Sequence, residues 1–175
     1  LSRCILETLK LDYAAIFREL ADEVRLSYGP MRAHLLHQDF FSHIEQFLAA
    51  SHIPAARFEI RIPESTFVVL PPSFAERLVA CGVQVVVDEV GRGMGSLEKL
   101  ARAPLWGLQL DRAWVGSLQR DEIARRVCQA QIAAATALGI VPIATGVDDA
   151  QIRLALICIG CGYGSGDLYP SEAFA

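Results

Sequence analysis

The sequence predicts an α/β protein with a parallel sheet, and three observations support this fold class. About six strand patterns alternate with helical patterns along the 175 residues, as in βα units. The run at 83–87 is rich in β-branched residues, which is typical of a strand buried on both faces. Carboxylates directly follow two strands, where parallel α/β folds build their sites. The chain is therefore an open doubly wound sheet or most of a (β/α)8 barrel, which normally needs ~250 residues.

In the first half of the chain, apolar residues recur at helical spacing or alternate with charged ones. The first predicted strand of this half ends at Gly29, which begins a Gly-Pro turn signal. The last helix of this half starts with two prolines and ends before Gly82. The predicted elements are helix 1–23, strand 24–28, helix 39–50, strand 56–62 and helix 72–80.

The second half continues the alternation around a glycine loop at 91–95. Asp121 is placed to cap a long helix that Gly139 ends, and Asp148 or Asp149 caps the next one. The predicted elements are strand 83–87, helix 96–102, strand 107–110, helix 121–138, strand 140–144, helix 150–159 and an extended piece at 163–167.

Composition narrows the classes of partner. The chain has 16 basic and 20 acidic residues, which argues against duplex nucleic acid because phosphate binding depends on a basic surface. No apolar run approaches the ~20 residues of a membrane span, so we expect no direct membrane insertion by this segment. A small anionic ligand needs only a few local hydrogen-bond donors, so the composition does not exclude such a ligand.

The five cysteines are odd in number and lie mostly in apolar surroundings, which predicts reduced thiols in the cytoplasm. Cys158 and Cys161 form a C-x-x-C pattern, but it lies at the end of an apolar helix. A redox pair needs a helix N-terminus to stabilise its thiolate, so we expect packed thiols there.

The segment 88–97, DEVGRGMGSL, carries the most specific signal. It resembles the hallmark of the EAL-domain family of cyclic di-GMP phosphodiesterases, Asp-Asp-Phe-Gly-Thr-Gly followed by Ser-Leu. Further segments are similar to family motifs in the right order, at 28–31, 61–65, 108–115, 144–148 and 165–170. The resemblance implies a TIM-like (β/α)8 barrel of the EAL type, here lacking about two N-terminal strands and the Glu-Ala-Leu motif. It also implies one partial domain over 1–175, a fragment of a larger bacterial signalling protein.

The family reaction attacks a phosphodiester with water held by two divalent ions, for which Mg²⁺ or Mn²⁺ is suited. By position, several family carboxylates survive as candidate ligand-binding residues. Asp88 and Glu89 form a residual metal site in this interpretation, and the family counterpart of Glu64 braces the glycine loop. The full candidate set is Asp88, Glu89, Asp111, Glu64 and Asp148.

The departures from the family pattern fall on the catalytic set. By resemblance, the metal-binding asparagine, two glutamates, the catalytic lysine and a late glutamine are all replaced. Gln109, in place of the lysine, carries no charge. The replacements are Gly29, Arg61, Thr145, Gln109 and Ser165.

Simpler interpretations stand beside these roles. Asp88 and Glu89 can form a hydrogen-bonded pair that caps a plain turn. Arg61 and Arg92 can contact a phosphate, but surface ion pairs are the alternative. His34-x-x-His37 with Asp39 has a spacing that binds metals, although no further ligand lies nearby in the sequence.

We therefore expect a catalytically inactive EAL-like domain in cytoplasmic cyclic di-GMP signalling. It would act as a nucleotide sensor or as a protein-interaction or dimerisation module, because open barrel edges pair with a partner or a second copy. One alternative is an active phosphodiesterase, completed by unseen chain and dependent on Mg²⁺ or Mn²⁺. The other is a structural scaffold that binds no nucleotide.

Overall fold

The computed structural model of the protein describes residues 25–51, 53–91 and 97–169. The chain divides into two compact units, one formed by 1–62 and 71–85 and the other by 63–70 and 86–175. The predicted helix over 1–23 lies outside the described residues.

The described elements follow the predicted alternation of strands and helices. The strands are β1 Leu26–Tyr28, β2 Phe58–Pro63, β3 Gln84–Val90, β4 Gly107–Leu110, β5 Val141–Thr145 and β6 Tyr163–Ser165. The helices are α1 Arg32–Leu35, α2 Phe40–Ser51, α3 Glu64–Phe67, α4 Ser73–Ala80, α5 Leu97–Arg102, α6 Arg112–Ser117, α7 Glu122–Ala137 and α8 Ala150–Cys158.

In the first unit, β1 and β2 run parallel, with Tyr28 opposite Ile60. The alternation along β2 buries Phe58 and Ile60 completely because successive side chains of a strand point to opposite faces. The Phe47 ring of α2 packs on Phe58 at 4.9 Å between ring centroids. The amphipathic helix and the half-buried strand predicted for this region are confirmed.

In the second unit, β3 to β6 are parallel and stand side by side in chain order. The predicted caps of α7 are confirmed: Asp121 Oδ1 accepts a hydrogen bond from Ile123 N at 2.8 Å, and Gly139 follows the helix with φ +70°. Of Asp148 and Asp149, the two predicted caps of α8, it is Asp149 that caps the helix: its Oδ1 accepts a hydrogen bond from Ile152 N.

The sequence predictions were wrong about the end of one strand and about three short helices. β3 extends to Val90, so the predicted strand 83–87 was too short. The helices α1, α3 and α6 were not predicted, since stretches of four to six residues show little helical periodicity, whereas α5, with six residues, was predicted. Within the described parts of the chain, no helix is long and apolar enough to cross a membrane.

Candidate functional site

The carboxylates Asp88 and Glu89 lie inside β3, whereas the prediction for 83–87 placed them just after it. The register against β4 shifts between Val87 and Val90, which marks a bulge that re-aims side chains. Glu89 takes a left-handed φ of 55° and is exposed, a conformation that costs a non-glycine residue ~1–2 kcal/mol. Asp88 Oδ1 accepts a hydrogen bond from Glu89 N at 2.6 Å. Both carboxylates therefore lie within the irregular last residues of β3 rather than in the loop that follows it.

Glu64 lies against the start of the glycine loop. Its side chain is buried, and Oε2 accepts a hydrogen bond from Gly91 N at 3.2 Å. On the preceding residue, Gln131 Nε2 of α7 donates to Val90 O at 2.8 Å. Two side chains from different elements therefore fix the backbone where the loop begins. The remaining loop positions, 92–95, lie outside the described residues.

Asp111 and Asp148 both accept hydrogen bonds from within the second unit. Asp111 Oδ1 accepts from Ala113 N at 2.7 Å and so caps α6. Asp148 Oδ2 pairs with Arg112 Nη2 at 2.7 Å, and its Oδ1 accepts from Asp167 N at 3.1 Å. The backbone hydrogen bond from Asp167, followed by the Arg112 guanidinium, lowers the pKa of the Asp148 carboxyl.

Gln109 lies within β4, between Leu108 and Leu110, and is 5% exposed. Its amide is uncharged and does not ionise near neutral pH. On the adjacent strand, Thr145 Oγ1 donates a hydrogen bond to Leu110 O at 2.8 Å. The two strand positions that correspond, by the resemblance, to the family's lysine and to one of its glutamates therefore hold neutral side chains.

The described donor set does not fit a two-ion centre. Magnesium and manganese sites need several oxygen ligands around each ion. Across 25–51, 53–91 and 97–169, no group of three or more His, Cys, Asp or Glu side chains is placed to hold an ion. Within the first unit, Gly29 has no side-chain oxygen for an ion, and the positive charge of Arg61 repels one. Asp88 and Glu89 remain a predicted weak site for a single cation.

Gln131 contacts the start of the glycine loop and is not among the site residues predicted from the sequence. In the sequence it falls at helical spacing with Ile123, Val127 and Ala134. A glutamine among apolar residues was the available signal, because a partly buried amide needs a hydrogen-bond partner. Its partner on β3 depends on tertiary structure and has no mark in the sequence.

The histidines of α1 and α2 join a polar chain in the first unit. Tyr28 Oη lies 3.1 Å from His34 Nδ1, and His34 Nε2 lies 3.2 Å from His43 Nδ1. His37 stacks on His43 and lies 3.7 Å from Asp39. The spacing of His34 and His37 was visible in the sequence, whereas His43, which completes this chain of contacts, was not predicted.

The described cysteines are free thiols, namely Cys81, Cys128, Cys158 and Cys161. Cys158 is exposed at the end of α8, whereas Cys161 is buried. Burial raises the pKa of the Cys161 thiol, and burial together with Cys161 raises the pKa of Cys128 to about 11. The environments of Cys128 and Cys161 disfavour the thiolate that redox exchange needs. The prediction of packed thiols in the C-x-x-C pattern is confirmed for Cys161 and is wrong for Cys158, which is exposed.

Comparison with known proteins agrees with this architecture. The sequence profile of the EAL domain matches residues 1–171. The cyclic di-GMP phosphodiesterase RocR of Pseudomonas aeruginosa is 27% identical over 154 residues, which cover 86% of this chain and 39% of RocR. The cyclic di-GMP phosphodiesterase PdeR of Escherichia coli is 26% identical over 167 residues, which cover 91% of this chain and 25% of PdeR. The chain thus spans well under half the length of these two relatives.

Among solved structures, the PaMucR phosphodiesterase in its c-di-GMP complex superimposes with a TM-score of 0.90 at 20% sequence identity. The superposition covers 99% of this chain and 73% of the other, so the predicted EAL-type α/β barrel fold is confirmed. With the profile match over nearly its whole length, the chain belongs to the EAL domain family.

Proposed function

We propose that this domain binds cyclic di-GMP without hydrolysing it and acts as a sensor in cyclic di-GMP signalling. The observation that carries this proposal is Gln109, a buried neutral amide where the family places its catalytic lysine. A lysine supplies a positive charge and an exchangeable proton, whereas an amide supplies neither at neutral pH. Removing such a group from a reaction centre typically lowers its rate by orders of magnitude.

The carboxylates support the same proposal. Glu64, Asp111 and Asp148 each accept a backbone hydrogen bond that shapes a loop or a helix start. Asp88 accepts one from its neighbour Glu89. These contacts hold the four carboxylates in hydrogen bonds within the chain, while the donor set described above is poor for two metal ions. Carboxylates held in this way, without a two-ion centre, support recognition of the ligand rather than its hydrolysis.

We further propose that residues 1–175 form one partial EAL domain of a larger bacterial signalling protein that works in the cytoplasm. The curated relatives named above are longer than this chain, and they are named as cyclic di-GMP phosphodiesterases. A sensor must pass on its ligand state, so we propose that the domain contacts a protein partner or a second copy of itself.

The test combines calorimetry with product analysis. Cyclic di-GMP is titrated into the protein in EDTA and again with Mn²⁺, and the mixtures are then separated by chromatography to detect the linear dinucleotide. We expect binding in both buffers and intact nucleotide after prolonged incubation. Asp88→Asn serves as the matched variant, because turnover that persists in it comes from a contaminant.

Two results contradict the proposal. Linear dinucleotide that depends on Mn²⁺ and disappears in Asp88→Asn would establish an active phosphodiesterase. Absence of binding in both buffers would leave the structural scaffold as the function.

A further inference from the structure

The pair formed by β1 and β2 has one apolar and one polar face. Ser27 stands opposite Glu59 in the parallel register, and Arg61 follows Glu59 by two residues. Because alternate residues of a strand share a face, Ser27, Glu59 and Arg61 lie on the same side. Phe58 and Ile60 lie on the other side and are fully buried.

Two atoms on this polar face are buried without a hydrogen-bond partner. In the described part of the chain, neither Arg61 Nε nor Ser27 Oγ reaches a donor or acceptor. Buried polar groups in folded proteins are nearly always paired, and an exception calls for an explanation such as a missing ion. Arg61 Nε can only donate, and Ser27 Oγ can donate. Two unused donors on one face are suited to an anion.

Space for such an anion exists on this face of the strand pair. Gly29 directly follows β1, and the register of Tyr28 opposite Ile60, continued by one residue, brings Gly29 level with Arg61. A Cβ built at Gly29 would meet no atom of the described residues within 4 Å. The strand pair therefore has an open position at the level of Arg61.

We propose that Arg61 and Ser27 bind a phosphodiester group of the cyclic dinucleotide directly, without a metal ion. The planar guanidinium forms paired hydrogen bonds to phosphate oxygens, and the Ser27 hydroxyl donates a further one. The Arg61 guanidinium thus provides the positive charge that a bound metal ion would otherwise provide. The identity of the ligand rests on the proposed function, whereas the anion site rests on the two unpaired atoms.

Glu59 is the charge on this face that opposes the site. It is half-buried and precedes Arg61 by two residues, so its carboxylate repels a phosphate held by Arg61. Glu59→Gln is therefore expected to bind the dinucleotide equally or more tightly. Weaker binding in this variant would mean that Glu59 positions Arg61 and would contradict the assigned role.

The binding test is calorimetry with cyclic di-GMP in EDTA. Arg61→Gln is expected to weaken binding about 10- to 100-fold, the range for a lost hydrogen bond to a charged group. Ser27→Ala is expected to weaken it about 2- to 10-fold. Arg32→Gln, which removes an exposed arginine of α1, is the control and should bind as the unmodified chain does. Equal binding by Arg61→Gln and the unmodified chain would overturn the inference and leave the proposed function standing.

Thermal unfolding without ligand separates a binding role from a structural one. A buried donor without a partner destabilises the fold, so Arg61→Met should unfold at the same temperature as the unmodified chain or at a higher one. A structural Arg61 would make the same variant unfold at a lower temperature. That result would also overturn the inference.

A second probe decides the case in which the dinucleotide does not bind at all. Inorganic phosphate is then titrated while the Nε–H resonance of Arg61, assigned by its loss in Arg61→Gln, is followed by ¹⁵N-resolved NMR. A saturable shift would support the anion site although the proposed function had failed. An unmoved resonance would overturn the anion site as well.

Discussion

Replacing Gly91 by alanine tests how the start of the glycine loop is held. Gly91 has φ +94°, and a Cβ there would overlap Gln131 Nε2. The left-handed backbone costs an alanine ~1 kcal/mol. Displacing Gln131 also breaks its hydrogen bond to Val90 O, which is worth ~1 kcal/mol. Together these terms predict a loss of about 2 kcal/mol in the free energy of unfolding.

The cost of the left-handed backbone and the cost of displacing Gln131 can be separated by unfolding single and double variants in guanidinium chloride. Gly139→Ala is the matched control, because Gly139 has φ +70° and no atom of the described residues lies within 4 Å of a built Cβ, so this variant should lose only ~1 kcal/mol. In a Gln131→Ala background the overlap is absent, and Gly91→Ala should then also cost only ~1 kcal/mol. An equal loss for Gly91→Ala in both backgrounds, within ~0.5 kcal/mol, would refute the contact between Gly91 and Gln131.

Three further outcomes follow from the described contacts. Asp111→Ala should lower the free energy of unfolding by ~1 kcal/mol through loss of the α6 cap, and an unchanged denaturation midpoint would contradict this. Burial and the neighbouring histidines lower the pKa of His34 below its ordinary 6.5. The unfolded chain then takes up the proton first, so stability should fall as pH drops below ~6.5, by at most ~1.4 kcal/mol per pH unit. Urea unfolding between pH 5 and 8 checks this, and an equal slope in His34→Gln would contradict it. Among the described cysteines, exposed Cys158 should react with a thiol reagent in the folded protein, while Cys128 and Cys161 should react only on unfolding. Mass spectrometry of the labelled peptides measures the order, and early labelling of Cys128 would contradict the packing.

The fold was largely predictable because its signals are local. The cap at Asp121, the stop at Gly139 and the alternation along 56–62 each depend on residues close together in the sequence. The end of β3 was not predictable, because the bulge at Glu89 depends on the register against β4. The short helices α1, α3 and α6 likewise lack enough residues to show a period.

The contacts within the candidate site could not be predicted from the sequence. Motif order predicts Asp88 and Glu64 as site residues, but the hydrogen bond from Gly91 to Glu64 joins residues that are 27 positions apart. The unpaired atoms of Ser27 and Arg61 become visible only when two strands are placed side by side. Sequence reasoning supplies the chemical types, and the tertiary structure decides which donors remain unused.

The most direct test of a binding domain without catalysis is product analysis on the bound complex. Cyclic di-GMP at saturation, with Mn²⁺ and excess protein, is incubated and the nucleotide is then recovered and separated. The account predicts that only the cyclic dinucleotide is recovered, because Gln109 and the described donor set do not support attack by water. Conversion to the linear dinucleotide, lost in Asp88→Asn, would contradict it.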